Sequence, residues 1–181
     1  MITNVVESLI PHIRLVPWVD VVGGIASPLQ KGDQIAPAWY DITQGKWIDL
    51  SPDSKKRGIV FFRADECEVI SNSGGKINER CTLNIMCWYN LKQINVDEGD
   101  SRPVLDICDA IPGKLWNTNG IITARMKYQN TIRNIVIWNE YTFNENKQYT
   151  MYPYGAFMVT YDALYWYAKG CHIKNLNPSI C

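Results

Sequence analysis

The chain has 181 residues, 46% of them apolar and 20% charged, and its 18 basic and 18 acidic side chains cancel. That length and apolar content exclude a disordered or fibrous chain and suffice for a single domain with its own core. Neutrality argues against nucleic acid as the main partner, because phosphate binding draws on a strong basic surplus. It also removes long-range repulsion between copies of the same chain.

Residues 4–16 read as an amphipathic helix, with Val5, Val6, Leu9, Ile10 and Ile13 at helical spacing, Asn4 as its cap and Glu7 three positions later. Pro11 is expected to kink this helix or end it early. Glu7, His12, Arg14 and Asp20 with Pro11 and Pro17 deny residues 4–25 the uncharged run of a membrane span, and no export-signal pattern opens the chain. A protein without membrane contact that folds in the cytosol is expected.

Residues 16–38 contain Pro17, Gly23, Gly24, Pro28, Gly32 and Pro37 and read as extended connection. Trp39–Ile42 and Lys46–Leu50 form a small hairpin around Thr43–Gly45, and Ser51–Arg57 is a loop. The whole of 17–57 is thus an irregular insertion. Gly58–Ser71 forms a strand, Asn72–Lys76 a flexible turn, and Ile77–Leu91 a long return strand. On the return strand Cys81, Leu83, Ile85, Cys87 and Tyr89 point one way, and Arg80, Thr82 and Asn84 the other. Met86 and Trp88 interrupt the polar side and call for a second packing partner.

Gln93–Arg102 is a charged loop that feeds a helix at Pro103–Ile111, with Ser101 as its cap, Pro112-Gly113 at its end, and Val104, Leu105, Cys108 and Ile111 as its apolar face. Ile121–Tyr128 and Asn134–Phe143 read as an antiparallel pair, with a helix over 129–139 as the alternative. Asn144–Gln148 is a loop. Gly155–Ala168 is the last long strand. It carries Phe157, Val159, Tyr161, Ala163, Tyr165 and Tyr167 on one face, and Met158, Thr160, Asp162, Leu164 and Trp166 on the other. Residues 169–181 read as an extended C-terminal tail. The expected fold is α+β: an antiparallel sheet or sandwich with a long hairpin and one or two flanking helices.

Six cysteines are present, Cys67, Cys81, Cys87, Cys108, Cys171 and Cys181. Their placement among strand hydrophobes favours free thiols, with a Cys67–Cys81 cross-strand bridge as the leading exception. Their spacing matches no zinc finger or ribbon. Asp97, Glu98 and Asp100 lack the spacing of a calcium loop and read as a solvated segment. Asp65, Glu66 and Glu68 fall on both faces of a strand and do not converge. His172 beside Cys171 points away from it in extended chain, so no thiol–imidazole dyad is expected. No catalytic residue, metal ligand or cofactor site is expected. The aromatic run Tyr149, Tyr152, Tyr154, Phe157, Tyr161, Tyr165, Trp166, Tyr167 suits a core and subunit interface better than a ligand platform, because basic residues are not interleaved with it.

In its order of elements the chain resembles the tail-terminator and neck-connector proteins of tailed bacteriophages. The shared features are the N-terminal helix, the acidic strand Ala64–Ile70, the turn Ser73-Gly-Gly75, the return strand Thr82–Tyr89, the helix after it, and a closing strand alternating like Gly155–Tyr167. The insertion before the main hairpin is longer than in small terminators. The Asn-, Ile-, Lys- and Tyr-rich style fits an AT-rich host or phage, such as the crAss-like phages.

The resemblance implies a structural virion protein, assembled in the host cytoplasm as a six- or twelve-fold homo-oligomeric ring between portal and tail proteins. DNA would pass through the lumen without sequence-specific binding. On this reading Arg80, Thr82 and Asn84 face the channel, and Met86, Trp88, Tyr161, Tyr165, Trp166 and Tyr167 form the subunit interface. The alternative is a monomeric or dimeric β-rich module that binds a glycan or small ligand through the aromatic strand.

Overall fold

A 15-residue strand at Lys76–Asn90 runs through the middle of the molecule and organises everything else. The computed structural model describes residues 2–116, 123–133, 141–142 and 152–168. In chain order its elements are α1 (Ile2–Ile13), β1 (Val21–Ile25), β2 (Ser27–Lys31), β3 (Gln34–Asp41), β4 (Lys46–Asp49), β5 (Gly58–Ser73), β6 (Lys76–Asn90), α2 (Leu91–Ile94), α3 (Arg102–Ala110), β7 (Lys114–Trp116), β8 (Thr123–Arg133) and β9 (Tyr154–Ala168). The larger sheet has six strands in the order β1-β5-β6-β9-β8-β7, and the smaller has three in the order β2-β3-β4. The fold is α+β and rich in strands, as the alternation implies.

The β5–β6 hairpin closes at Gly74 and Gly75, with φ of 57° and 74°, the left-handed pair that a two-residue turn matching strand twist requires. On its other side β6 pairs with β9 without interruption from Lys76↔Ala168 to Asn90↔Tyr154. Helices cover one face of this sheet. There Val60, Phe62, Leu83, Ile85, Cys87, Phe157 and Val159 form one core with Val5, Val6, Leu9, Ile13 and Ile107. The other face is covered along half its length by the small sheet. Ile59, Phe61, Met86, Trp88 and Met158 meet Leu50 and Tyr141 there, with Trp39 and Ile48 alongside. A sheet that packs on both faces accounts for a β6 that is buried at every position from Leu83 to Asn90.

Several expectations are corrected. Residues 17–57 are not an irregular insertion: they supply β1, β2 and β3 as well as the expected hairpin, which is β3–β4 with Asp41↔Lys46 next to the turn. β1 is parallel to β5, with Val21↔Ile59 and Val22↔Val60, so the large sheet is mixed rather than wholly antiparallel. Glycines here serve packing, since a Cβ on Gly24 would lie 2.3 Å from Nε1 of Trp39.

Helix α1 begins at Ile2, so Asn4 lies inside it, where its carbonyl accepts from Ser8 Oγ at 2.8 Å. Pro11 does not end it, because a proline in the last turn removes a single N–H bond, and Arg14 N–H still reaches Ile10 O at 3.0 Å. Ser101 makes no side-chain cap, and the buried residues of α3 are Pro103 and Ile107, while Leu105 is 54% exposed. Part of the loop at 93–102 is the short helix α2, capped by Asn90, whose side chain accepts from Gln93 N–H.

Residues 129–133 belong to β8 rather than to a helix, and β8 pairs with β7 and β9. The expected partner strand at 134–143 lies outside the described residues except for 141–142. The loop at 144–148 and the tail at 169–181 are outside them as well. Cys67 and Cys81 form a disulfide, so they are not free thiols; Cys87 and Cys108 are free. Among the described residues no helix is long and apolar enough to cross a membrane.

Candidate functional site

Beyond the edge of the small sheet, the same face of the large sheet is polar and partly open. Arg80 and Thr82 of β6 sit there as the alternation implies, Arg80 exposed and Thr82 half-buried. Register sets Leu164 of β9 beside Arg80, Asp162 beside Thr82 and Thr160 beside Asn84. Arg80 lies 3.3 Å from Glu68 Oε1. From β8, Gln129 donates to Asp162 Oδ2 at 2.7 Å, and Lys127 is Asp162's register partner.

Asn84 departs from expectation. It is buried, and its amide donates to Asp65 Oδ2 at 2.6 Å while its carbonyl accepts from Thr160 Oγ1 at 2.8 Å. Arg63 in turn binds Asp65 at 3.0 Å. Asn84 is therefore buried under the polar face, bonded between Asp65 of β5 and Thr160 of β9, and not a group that meets solvent. The side chains brought together here from β5, β8 and β9 (Glu68, Lys127, Gln129, Thr160, Asp162) carry no local sequence signal. They emerge from register alone.

The candidate interface residues divide differently. Met86 and Trp88 are buried within the chain, and their second packing partner is the chain's own small sheet, with Trp88 stacked on Tyr154 at 5.3 Å. Tyr161, Tyr165 and Tyr167 are buried on the helix-covered face. Trp166 alone of the six is half-buried, and it lies on the opposite face beside Asn78. Five of the six candidate interface side chains are thus buried within the chain itself, and Trp166 keeps part of its surface open.

The tyrosines are held by one carboxylate. Tyr165 and Tyr167 donate to Glu79 Oε2 and Oε1 at 2.6 and 2.5 Å. Burial, then the bond to Glu79, pushes the Tyr167 phenol up to about 12, and the same causes push Tyr165 higher. Burial also raises Tyr161 and the thiols of Cys87 and Cys108, which keeps both cysteines neutral and poor nucleophiles.

Other polar groups are committed to turns. Asp41 accepts from Thr43 Oγ1 at 2.6 Å and Gln44 Nε2 at 2.7 Å, bonds that hold its carboxyl below the usual range and close the β3–β4 turn. Asp41, Trp39, Ile10 and Glu7 line a groove of about 270 Å³ between α1 and the small sheet. Asp100 binds Arg102 Nε at 2.7 Å, and among the described residues no three His, Cys, Asp or Glu side chains gather to hold a metal. His12 lines a separate cavity with Asp106 and Asp109. His172 and Cys171 lie outside the described residues.

Among the described residues the geometry offers a mixed-charge polar face and two sheet edges. No protein-family model matches the sequence, and no curated protein is similar to it.

Proposed function

We propose that this chain is a structural subunit of a phage neck or tail that closes with copies of itself into a ring around the DNA path, between portal and tail proteins. The observation that carries the reading is the way the outer edge of β5 outruns the core, while the matching half of β6 stays packed beside β9. Both strands continue past the small sheet, and from Glu66 to Ile70 every β5 side chain is exposed. A strand whose outer edge leaves its own core supplies backbone for a neighbour to pair with, and here that strand is β5, because β6 is paired on both sides. The order of elements along the chain supports the phage assignment.

In this reading the open polar face, with Arg80, Thr82, Asp162 and Lys127, looks into the lumen. Cations and anions alternate on it, so DNA finds no continuous basic track to adhere to and slides. Light scattering on the purified protein, followed by negative-stain imaging, tests self-assembly: closed rings are expected, and a monomer at every concentration overturns the reading. Arg80→Glu should leave ring formation intact and slow DNA passage, and a variant virion of normal infectivity would count against the lumenal placement.

A further inference from the structure

The two ends of the large sheet are unlike in charge and alike in shape. On its outer side β5 pairs with β1 only from Ile59 to Phe62, and the last rung is Ala26 N–H to Phe62 O at 2.8 Å. From Ala64 to Ser73 no described strand lies outside β5. That stretch contains Asp65, Glu66 and Glu68 and no basic residue. At the far end β7 covers β8 over Thr123–Arg125, and Met126 N–H reaches Gly113 O. From Lys127 to Arg133 no described strand lies outside β8. That stretch contains Lys127 and Arg133 and no acid.

Each of these two stretches also exposes large apolar side chains. Val69 and Ile70 are 59% and 47% exposed on β5, and Tyr128 and Ile132 are 50% and 41% exposed on β8. The edges are of comparable length, on the order of 20–30 Å at about 3.3 Å per residue.

We infer that the β5 edge at 64–73 of one copy pairs with the β8 edge at 127–133 of the next, making the large sheet continuous from subunit to subunit. Charge selects this arrangement over the others. Two β5 edges would set carboxylates against carboxylates, and two β8 edges would set cations against cations, whereas unlike edges bring Glu66 and Glu68 toward Lys127 and Arg133. A contact between two different edges is head-to-tail, the kind that closes into a ring when the rotation per subunit divides a full turn. The inference rests on the self-assembly reading above and adds the surfaces that carry it.

The test is a charge swap across the edges. Glu66→Lys/Glu68→Lys leaves a chain with two basic edges, and Lys127→Glu/Arg133→Glu leaves one with two acidic edges. Each alone should lose at least tenfold in association by light scattering or sedimentation. An equimolar mixture should recover assemblies in which the two variants alternate. Assembly of the unaltered protein should also weaken from about 0.05 M to about 1 M salt, a readout that needs no variant to fold. If the unaltered protein assembles and both variants assemble equally well, the edge pairing is overturned while self-assembly stands. If both variants lose assembly and the mixture does not recover it, the pairing is again overturned. A wild-type chain that stays monomeric overturns both.

Discussion

Cys67 on β5 and Cys81 on β6 stand opposite each other, Cα atoms 4.2 Å apart, and are joined by a disulfide that encloses the tip of the long hairpin. A cross-link around a loop of this size stabilises by about 3 kcal/mol, chiefly by restricting the unfolded chain. Cys67→Ser, or reduction of the native protein, should therefore lower the urea midpoint by that equivalent. Peptide mapping without reductant should recover the 67–81 cross-link, and an unchanged midpoint under reductant would refute its contribution.

The carboxylate of Asp20 ties the start of β1 to the start of β5. It accepts from Arg57 N–H at 2.7 Å and from the Arg57 guanidinium at 2.6 and 2.9 Å. Burial works to raise this carboxyl, but the Arg57 bonds outweigh it and leave it below its ordinary value of 3.8. A folded-state value below the unfolded one gives a contribution present above about pH 4 and lost as the pH falls through the folded value. Asp20→Asn should cost roughly 1 kcal/mol at neutral pH, because the pair is partly exposed. The difference from wild type should shrink as the pH falls below the carboxyl's ordinary value of 3.8. A penalty that persists in acid would show that the ion pair is not its source.

Tyr165 and Tyr167 make the opposite prediction at the alkaline end. Their raised phenols favour the neutral form in the folded state. Stability is thus unaffected below the ordinary value of 10 and falls as the pH rises through the folded values, about 12 for Tyr167. Ultraviolet titration should show a late-ionising group of tyrosines whose appearance coincides with unfolding. Tyr165→Phe should cost about 1.5–3 kcal/mol, since it removes a donor from a carboxylate. A titration in which all tyrosines ionise together near 10, with the fold intact, would contradict the Glu79 clasp.

Gly24→Ala probes how the small sheet seats. The added Cβ would come within 2.3 Å of Trp39 Nε1 and 2.7 Å of Cε2, so the indole must move. Overpacking of this kind costs about 1–3 kcal/mol, and it should also shift the tryptophan emission and near-ultraviolet dichroism. Gly32→Ala, at a turn with φ of 62° and open space around the glycine, should lose stability without moving the tryptophan signals. Identical spectra for the two variants would argue that Trp39 does not pack on Gly24.

What could be read from the sequence follows from which forces are local. β5, β6 and β9 announce themselves because their period of two is fixed by one buried face, and Gly74-Gly75 fixes the turn between the first two. β1, β2 and the first half of β3 do not, because Gly23, Gly24, Pro28 and Pro37 read as punctuation, although the glycines serve close packing and the two prolines face each other across β2 and β3. The parallel pairing of β1 with β5 has no local signal at all.

Asn84 shows the same limit at the candidate site: its polarity implies water, and only the pairing that brings Asp65 and Thr160 to it reveals that it is buried. Met86 and Trp88 were legible as needing a partner, but a partner within the chain and one on another copy look alike in sequence. The Cys67–Cys81 pairing depends on a bulge. With the register that holds from Gly58↔Tyr89 to Ala64↔Leu83, Cys67 would face Arg80, and the shift after Ala64 brings it to Cys81 instead.

The central place of β6 also sets the order in which the chain can fold. Its β5 partner is one tight turn away, whereas its β9 partner arrives only after everything from Leu91 to Pro153 has been made and looped back. Local closure is fast and long closure slow, so the hairpin forms first and waits with the inner side of β6 bare. During that interval a β9 from another nascent copy competes for the same rungs. High local synthesis thus favours exchanged strands and tangled dimers, and dilution or slowed translation favours each chain claiming its own.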